Sequence, residues 1–151
     1  MTQVLVMHGP NLDRLGSREP EIYGHTTLAT ITATLDDLAG QLGLAVEHYQ
    51  SNAEHELVDR VHQASDNGVG WLLINPAAFT HTSVALRDAL SASALRFVEI
   101  HLSNPDSREP FRKTNLFSDL ASGRICGFGA LGYELGLRAI AGLIQTSAAS
   151  A

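Results

Sequence analysis

Residues 4–7 read VLVM, and the stretch that follows, residues 8–24, reads HGPNLDRLGSREPEIYG. The apolar run is typical of a buried strand, and an amphipathic helix pattern begins soon after the second stretch, at residue 28. A connection from a strand to a helix needs only about 2 to 6 residues. The much longer loop predicts a lid or a binding loop mounted on a strand and helix unit.

The same alternation of strand and helix continues along the chain. Leucine and isoleucine recur every three or four positions over 28–42, behind the N-cap candidates Thr26 and Thr27. A second helix is predicted to begin at a capping box formed by Ser51 and Glu54. The predicted strands are 4–7, 45–49, 70–74, 96–102 and 124–128, and two further helices are predicted from about residue 82 and over 132–145.

An α/β fold with a parallel sheet follows from this alternation. Strands joined through helices run parallel with right-handed crossovers, and the helices then cover both faces of the sheet. Five strands at this length fit the flavodoxin-like order, so we predict a doubly wound five-stranded parallel sheet in three layers, α/β/α. One domain is expected over residues 1–146, followed by a disordered tail at 147–151.

Composition narrows the classes of function. The net charge of -6 comes from scattered acidic residues without a basic cluster, so nucleic acid is not an expected partner. The chain shows no signal-peptide pattern and no apolar segment of about 18 residues, so we expect a cytoplasmic protein without a membrane partner. Cys126 is the only cysteine, which excludes an intrachain disulfide, and Lys113 is the only lysine, which leaves a single candidate for Schiff-base chemistry.

Polar side chains follow the carboxyl ends of three predicted strands. Asn11 follows the first strand, Asn75 and His81 follow the third, and His101 and Ser103 end the fourth. Ligands of open parallel sheets bind beyond these ends, near the point where the strand order reverses. Each residue alone could be ordinary loop polarity, but their joint placement predicts a site for a small molecule.

Glu99 and His101 are two positions apart on the fourth predicted strand and therefore share a face. A carboxylate beside an imidazole fixes the tautomer of the ring and raises its pKa, which suits a general acid near neutral pH. The alternative is a polar stripe at a solvated or subunit-facing edge.

Arg18 and Tyr23 form a second candidate pair, on the long first loop. A cation within about 4 to 6 Å favours the phenolate and lowers the pKa of a tyrosine. The alternative is a tyrosine packed at the base of the loop with a solvated arginine nearby. On the second long loop, Arg108 and Arg112 could clamp a carboxylate or hydroxyl groups, or Glu109 beside them could form an ordinary surface salt bridge.

Together these residues resemble the motifs of one family, type II 3-dehydroquinate dehydratase. The resemblance implies a flavodoxin-like fold and a lyase without a cofactor, metal or Schiff base. It implies the dehydration of 3-dehydroquinate to 3-dehydroshikimate by anti elimination through an enolate, in the shikimate route to aromatic amino acids. The motifs cover almost the whole chain: 9–12 (GPNL), 15–24 (LGSREPEIYG), 74–83 (INPAAFTHTS) and 99–112 (EIHLSNPDSREPFR).

The resemblance also implies catalytic roles for particular residues. Tyr23, as tyrosinate, matches the base that takes a proton from C2, and Arg18 matches the cation that lowers its pKa. Asn11 matches the residue that holds a water at the enolate. His101, oriented by Glu99, matches the acid that protonates the departing C1 hydroxyl.

Further positions match residues that hold the substrate. In the family these residues bind the substrate carboxylate or the ring hydroxyls, and one of them reaches the site of a neighbouring subunit. The family assembles trimers into a dodecamer, so a homo-oligomer is expected. The matching residues are Asn75, Ser103 and the Leu102 backbone amide for the carboxylate, His81 and Arg112 for the hydroxyls, and Asp88 for the neighbouring site.

Three places depart from the common pattern of the family. His8 and Asp13 stand where the family often has asparagine, and residues 113–115 (KTN) replace a stretch richer in histidine or serine. None of these is a catalytic position in the family, so the departures concern loop detail.

The alternative class of function is a flavodoxin-like binding module without catalysis. A phosphate receiver needs an aspartate after the third strand, where this chain has Asn75. A flavin carrier needs a phosphate loop rich in serine and threonine after the first strand, where this chain has the sequence GPNL at 9–12. The composition of these loops favours the enzyme.

Overall fold

The structure, a computed structural model, describes residues 1–17, 19–23 and 25–150, and of Pro20, Tyr23 and Ser150 it describes the backbone alone. Within these ranges five parallel strands form one sheet with the order β2-β1-β3-β4-β5. The sheet confirms the predicted doubly wound, flavodoxin-like α/β fold. The strands are β1 (Thr2–His8), β2 (Leu44–Gln50), β3 (Trp71–Asn75), β4 (Arg96–His101) and β5 (Gly123–Cys126).

Helices cover both faces of the sheet. The described helices are α1 (Pro20–Tyr23), α2 (Leu28–Leu42), α3 (Glu54–Asp66), α4 (Val84–Ala92) and α5 (Leu131–Ser150), with short 3-10 turns at 12–14, 77–81, 105–107 and 110–113. Because successive side chains of a strand point to opposite faces, each strand serves two cores. Val4 and Val6 pack in the core under α2 and α5, whereas Leu5 and Met7 pack in the core under α3 and α4.

Capping residues set the start of the main helices, with one correction to the prediction. Thr27 accepts a hydrogen bond from the Thr30 N–H at 3.2 Å and caps α2, as its position predicted. The capping box predicted at Ser51 and Glu54 is wrong, because the N-cap of α3 is Ala53. The Ser51 hydroxyl instead accepts from the Ala53 N–H at 2.9 Å and closes the turn before the helix.

Helix α5 is longer than its apolar pattern indicated. It continues through Ser150, beyond the predicted end at residue 145, and Ala151 lies outside the described residues. The disordered tail expected at 147–151 stays a prediction. Alanine and serine at the end of this segment are compatible with a helix, and the Thr146 hydroxyl donates to the Gly142 carbonyl at 2.9 Å. Among the described helices, none combines the length and the apolar character needed to cross a bilayer.

Gly9 allows the loops after β1 and β3 to cross in close contact. Its N–H donates to the Asn75 carbonyl at 2.8 Å, and a Cβ atom at this position would lie 2.4 Å from the Pro76 carbonyl oxygen. Such a separation is shorter than any ordinary contact, and the Pro76 carbonyl oxygen is held in place because it accepts from the Phe79 N–H at 3.2 Å in the turn after β3. A side chain at this point would therefore separate the two loops.

A buried polar chain lies beside this crossing. The Tyr133 hydroxyl, on α5, lies 2.9 Å from His8 Nδ1 and accepts from Asn75 Nδ2 at 3.4 Å. All three side chains are buried. Burial, and secondarily the nearby His48, lowers the pKa of His8 to about 3. His8 is therefore neutral in the folded protein at neutral pH.

We expect Gly9→Ala to lower the free energy of unfolding by about 1 to 3 kcal/mol, because the added methyl group overlaps the Pro76 carbonyl. Gly40→Ala is the matched control. Gly40 is exposed within α2 and a Cβ there meets nothing within 4 Å, so this change should stabilise by about 0.5 to 1 kcal/mol. Denaturant unfolding at equal protein concentration measures both, and equal stability of Gly9→Ala and the parent would contradict the close crossing.

Burial of neutral His8 also predicts a dependence of stability on pH. The unfolded chain takes up a proton at its ordinary pKa near 6.5, whereas the folded chain resists it down to about pH 3, so stability is lost as the pH falls through this window. Relative to His8→Gln, the parent should lose about 2 kcal/mol of unfolding free energy between pH 7.5 and pH 5. Denaturant titrations at a series of pH values measure the difference, which would stay constant if His8 were free to ionise.

Candidate active site

A cleft lies beyond the carboxyl ends of β1, β3 and β4, at the point where the strand order reverses. Its empty volume is about 580 Å³, including the part open to solvent. This is the edge at which doubly wound sheets bind ligands. Most of the site residues predicted from the sequence line it, namely Asn11, Asn75, His81, His101, Leu102, Ser103 and Arg112.

Asn11 and Asn75 are held by backbone contacts at the two loops that cross. The Asn11 N–H donates to Asn52 Oδ1 at 2.9 Å, and the residue has a φ of 68°. Asn75 Oδ1 accepts from the Ala77 N–H at 3.1 Å, and Ala77 has a φ of 52°. Left-handed backbone at residues other than glycine costs about 1 to 3 kcal/mol and is concentrated at functional sites.

His81 presents one defined ring nitrogen to the cleft. Its Nδ1 donates to the Thr114 carbonyl at 2.7 Å, because a carbonyl oxygen only accepts. Burial lowers the pKa of His81, and the cations Arg112 and Arg108 act in the same direction. The ring is thus neutral near pH 7, and Nε2 is available as an acceptor for a hydroxyl group.

Glu99 and His101 make the contact that their spacing on β4 predicted. His101 Nε2 donates to Glu99 Oε2, and the Glu99 side chain is 0% exposed. Burial alone would raise the pKa of Glu99, but hydrogen bonds from His101, Ser118 and Asn115 hold it below its usual range. The carboxylate is therefore ionised, Nε2 of His101 carries a hydrogen, and Nδ1 is the nitrogen available to a molecule in the cleft.

Three residues around Glu99 were missed by the sequence reasoning. Asn115 and Ser118 donate to its two oxygens, and Arg124 Nε, on the neighbouring strand β5, lies 3.7 Å from Oε2. Asn115 and Ser118 lie on a loop between β4 and β5 that has neither strand nor helix periodicity, so no pattern connected them to Glu99. Arg124 could have been found from strand pairing, because it is opposite Glu99 in the register of β4 and β5.

Two arginines of the second long loop, Arg108 and Arg112, also line the cleft. Arg108 Nη1 donates to Ser103 Oγ at 3.4 Å, and Nη2 lies 3.9 Å from Glu19 Oε2 on the first loop. Arg112 lines the cleft, but its Nε and Nη2 also donate to the Glu109 carboxylate at 3.0 and 3.2 Å. The salt bridge to Glu109 that the sequence offered as an alternative is therefore present, and Arg112 forms it while also lining the cleft.

Some predicted site residues are not brought into the described cleft. Asp88 is exposed on α4 and does not line the cleft of its own chain. Arg18 lies outside the described residues, and so does the side chain of Tyr23, whose backbone ends helix α1. That helix begins at Pro20, a position where the missing N–H of proline removes no helical hydrogen bond.

Comparison with known proteins agrees with this architecture. The family model described as dehydroquinase class II matches residues 2–141. A 3-dehydroquinate dehydratase of Stenotrophomonas maltophilia strain K279a is 61% identical over 98% of this chain and 99% of its own length. One of Marinobacter nauticus is 58% identical over 92% of this chain and 95% of its own length.

Solved structures show the same relationship. The type II dehydroquinase of Propionibacterium acnes superposes with a TM-score of 0.89 and 42% identity, over 93% of this chain and 97% of that one. The type II dehydroquinase of Butyrivibrio crossotus DSM 2876 gives a TM-score of 0.88 and 38% identity, over 91% of this chain and 95% of that one. With a family model over most of its length and such close relatives, the chain belongs to the class II dehydroquinase family.

Proposed function

We propose that this protein is a hydro-lyase that dehydrates 3-dehydroquinate to 3-dehydroshikimate by anti elimination through an enolate, in the shikimate pathway. The observation that carries the proposal is the buried Glu99 carboxylate bonded to His101 at the wall of the cleft. This pair supplies an oriented acid where substrates of such sheets bind. The names of the relatives supply the substrate.

In this proposal the base is Tyr23, acting as tyrosinate on the C2 proton. A tyrosine with a pKa near 10 is ionised in only about one molecule in a thousand at pH 7, so it needs a nearby cation. Arg18 is assigned that role, because a cation within about 4 to 6 Å lowers the pKa of a phenol by about one to three units. The approach of Glu19 to Arg108 supports the assignment, since it brings the first loop beside the cleft.

The enolate and the leaving group are assigned to Asn11 and His101, which line the cleft. Asn11 would hold a water against the enolate oxygen, a form of preorganised stabilisation. His101 would deliver a proton from Nδ1 to the departing C1 hydroxyl. After that transfer the ring is neutral and keeps its Nε2–H on Glu99, so the same contact serves both protonation states.

Binding roles follow the chemistry of the remaining lining residues. Asn75, Ser103 and the Leu102 N–H are assigned to the substrate carboxylate, and His81 and Arg112 to the ring hydroxyls. The neutral His81, with Nε2 as acceptor, suits a hydroxyl donor.

We also propose that the enzyme acts in the cytoplasm as a homo-oligomer, a dodecamer built from trimers. Asp88 would reach the site of a neighbouring subunit. Its exposure on α4, away from the cleft of its own chain, supports this role. No cofactor or metal is required by the chemistry assigned to these residues.

Replacing the base should abolish dehydration. We expect Tyr23→Phe to lower kcat by at least about a hundredfold, because the proton at C2 loses its acceptor. The assay follows the ultraviolet absorbance of the conjugated enone formed from 3-dehydroquinate. Tyr49→Phe is the control, since Tyr49 lies on β2 outside the cleft and should retain full activity. Near-normal turnover by Tyr23→Phe would rule out the tyrosinate mechanism.

The proposed route forms no imine with lysine. Lys113 is the only lysine, it is exposed, and it does not line the cleft, so it lacks the desolvated setting that activates an amine. Borohydride added during turnover should leave Lys113 unmodified, as read by peptide mass spectrometry, with a sample lacking substrate as control. A reduced adduct at Lys113 that depends on 3-dehydroquinate would show that the reaction passes through a Schiff base, and it would contradict the enolate route.

A further inference from the structure

Both carboxylate oxygens of Glu99 are bonded inside the protein. Oε2 accepts from His101 Nε2 and from Asn115 Nδ2, the latter at 2.6 Å, and Oε1 accepts from Ser118 Oγ at 2.7 Å. Arg124 adds a positive charge 3.7 Å from Oε2. A fully buried carboxylate stays ionised only when donors of this kind replace its water. Two of these donors, Asn115 and Ser118, make no contact with the cleft itself.

The side chain of Asn115 can have only one orientation. Its Oδ1 accepts from the N–H groups of Phe117 and Ser118, each at 2.7 Å. An amide nitrogen in that place would oppose two donors, so the oxygen faces the backbone and Nδ2 faces Glu99. Phe117 is 0% exposed in the core under α3 and α4, which anchors the loop. The position of the donor to Glu99 is thus fixed by the fold.

These contacts leave the Glu99 carboxylate no freedom to turn. Rotation of the group would break the bond from Asn115 or from Ser118, so Oε2 stays in one place. His101 Nε2 then has a single acceptor in a fixed position, and the orientation of Nδ1 toward the cleft follows from it. A general acid contributes only when its proton is correctly placed, and small displacements cost rate steeply.

We propose that Asn115 and Ser118 are positioning residues for the acid step, acting on His101 through the two oxygens of Glu99. The inference rests on the proposed function. In that step the C1–O bond breaks, its electron pair goes to oxygen, and this oxygen takes the Nδ1 proton and leaves as water. The electron pair of the enolate forms the C1–C2 double bond.

The two residues can be tested without removing the loop contacts. Asn115→Asp keeps an oxygen for the N–H groups of Phe117 and Ser118 but places a second carboxyl group against Glu99. Two carboxylates in contact cannot both ionise, so the pair shares one proton and Glu99 no longer holds a full charge against His101. Ser118→Ala removes only the hydroxyl that donates to Oε1. For each variant we expect kcat to fall by about tenfold or more, while KM stays within about twofold, because the base and the binding groups are untouched.

Deuterium exchange separates a positioning role from a structural one. When protonation of the C1 hydroxyl is slow, more of the enolate returns to substrate, and in D₂O it takes up a deuteron at C2. The 3-dehydroquinate recovered before the reaction is complete should therefore carry more deuterium at C2 per product formed. Both variants should raise this ratio above that of the parent. The ratio does not depend on the amount of folded enzyme. His101→Ala is the positive control and should raise it most.

Asn67→Asp makes the same substitution at an exposed position after α3 and should match the parent in kcat and in the exchange ratio. An unchanged ratio in both Asn115→Asp and Ser118→Ala would overturn the inference, whatever their kcat, and so would a rise in KM at constant kcat. Failure of the parent itself to form product would instead refute the proposed function. A normal ratio in His101→Ala would remove the acid role of His101 and the inference with it.

Discussion

Glu99 carries a negative charge at the end of β4 with none of its surface in contact with water, and a charge in such a place has to be balanced by the protein on every side. Three separate parts of the chain meet this requirement. His101 comes from the same strand, Asn115 and Ser118 from the loop that follows, and Arg124 from β5. Strand β4, the loop after it and strand β5 therefore all contact the one carboxylate of Glu99. The hydrogen bond to this carboxylate also orients the His101 imidazole, which faces the cleft.

The fold was largely predictable because its signals are local and periodic. Strands β1 and β3 are apolar on both faces, as buried parallel strands are, and α2 shows its helical period together with the threonine that caps it. The family was predictable from four motifs in order, and the family model confirms it. The start of α3 was misplaced because Ser51 satisfies a backbone N–H two residues ahead of it, a turn that resembles a helix cap in sequence.

The site was predictable in part, and there is a physical reason why some of its residues were predicted and others were not. Residues at strand ends, such as Asn75 and His101, are placed by the sheet, and the topology of a parallel sheet is known in advance. Asn115 is placed by a loop whose path depends on the burial of Phe117, so nothing in its spacing from Glu99 marks the contact. Asp88, by contrast, does not line the cleft of its own chain, and Arg18 and the side chain of Tyr23 lie outside the described residues.

The polar chain from His8 through Tyr133 to Asn75 links residues 125 positions apart. The partner of Asn75 is thus carried by α5, which is synthesised after every other element of the sheet and its helices. A chain emerging from the ribosome can pair β1 with β3 early, since the intervening segments are already made. Its cleft, however, is complete only once α5 has docked and brought the tyrosine hydroxyl to Asn75. The hydrogen bond from Asn75 to Tyr133 therefore forms only after α5 has been added to the sheet, and the wall of the cleft at Asn75 has its final arrangement only from that stage.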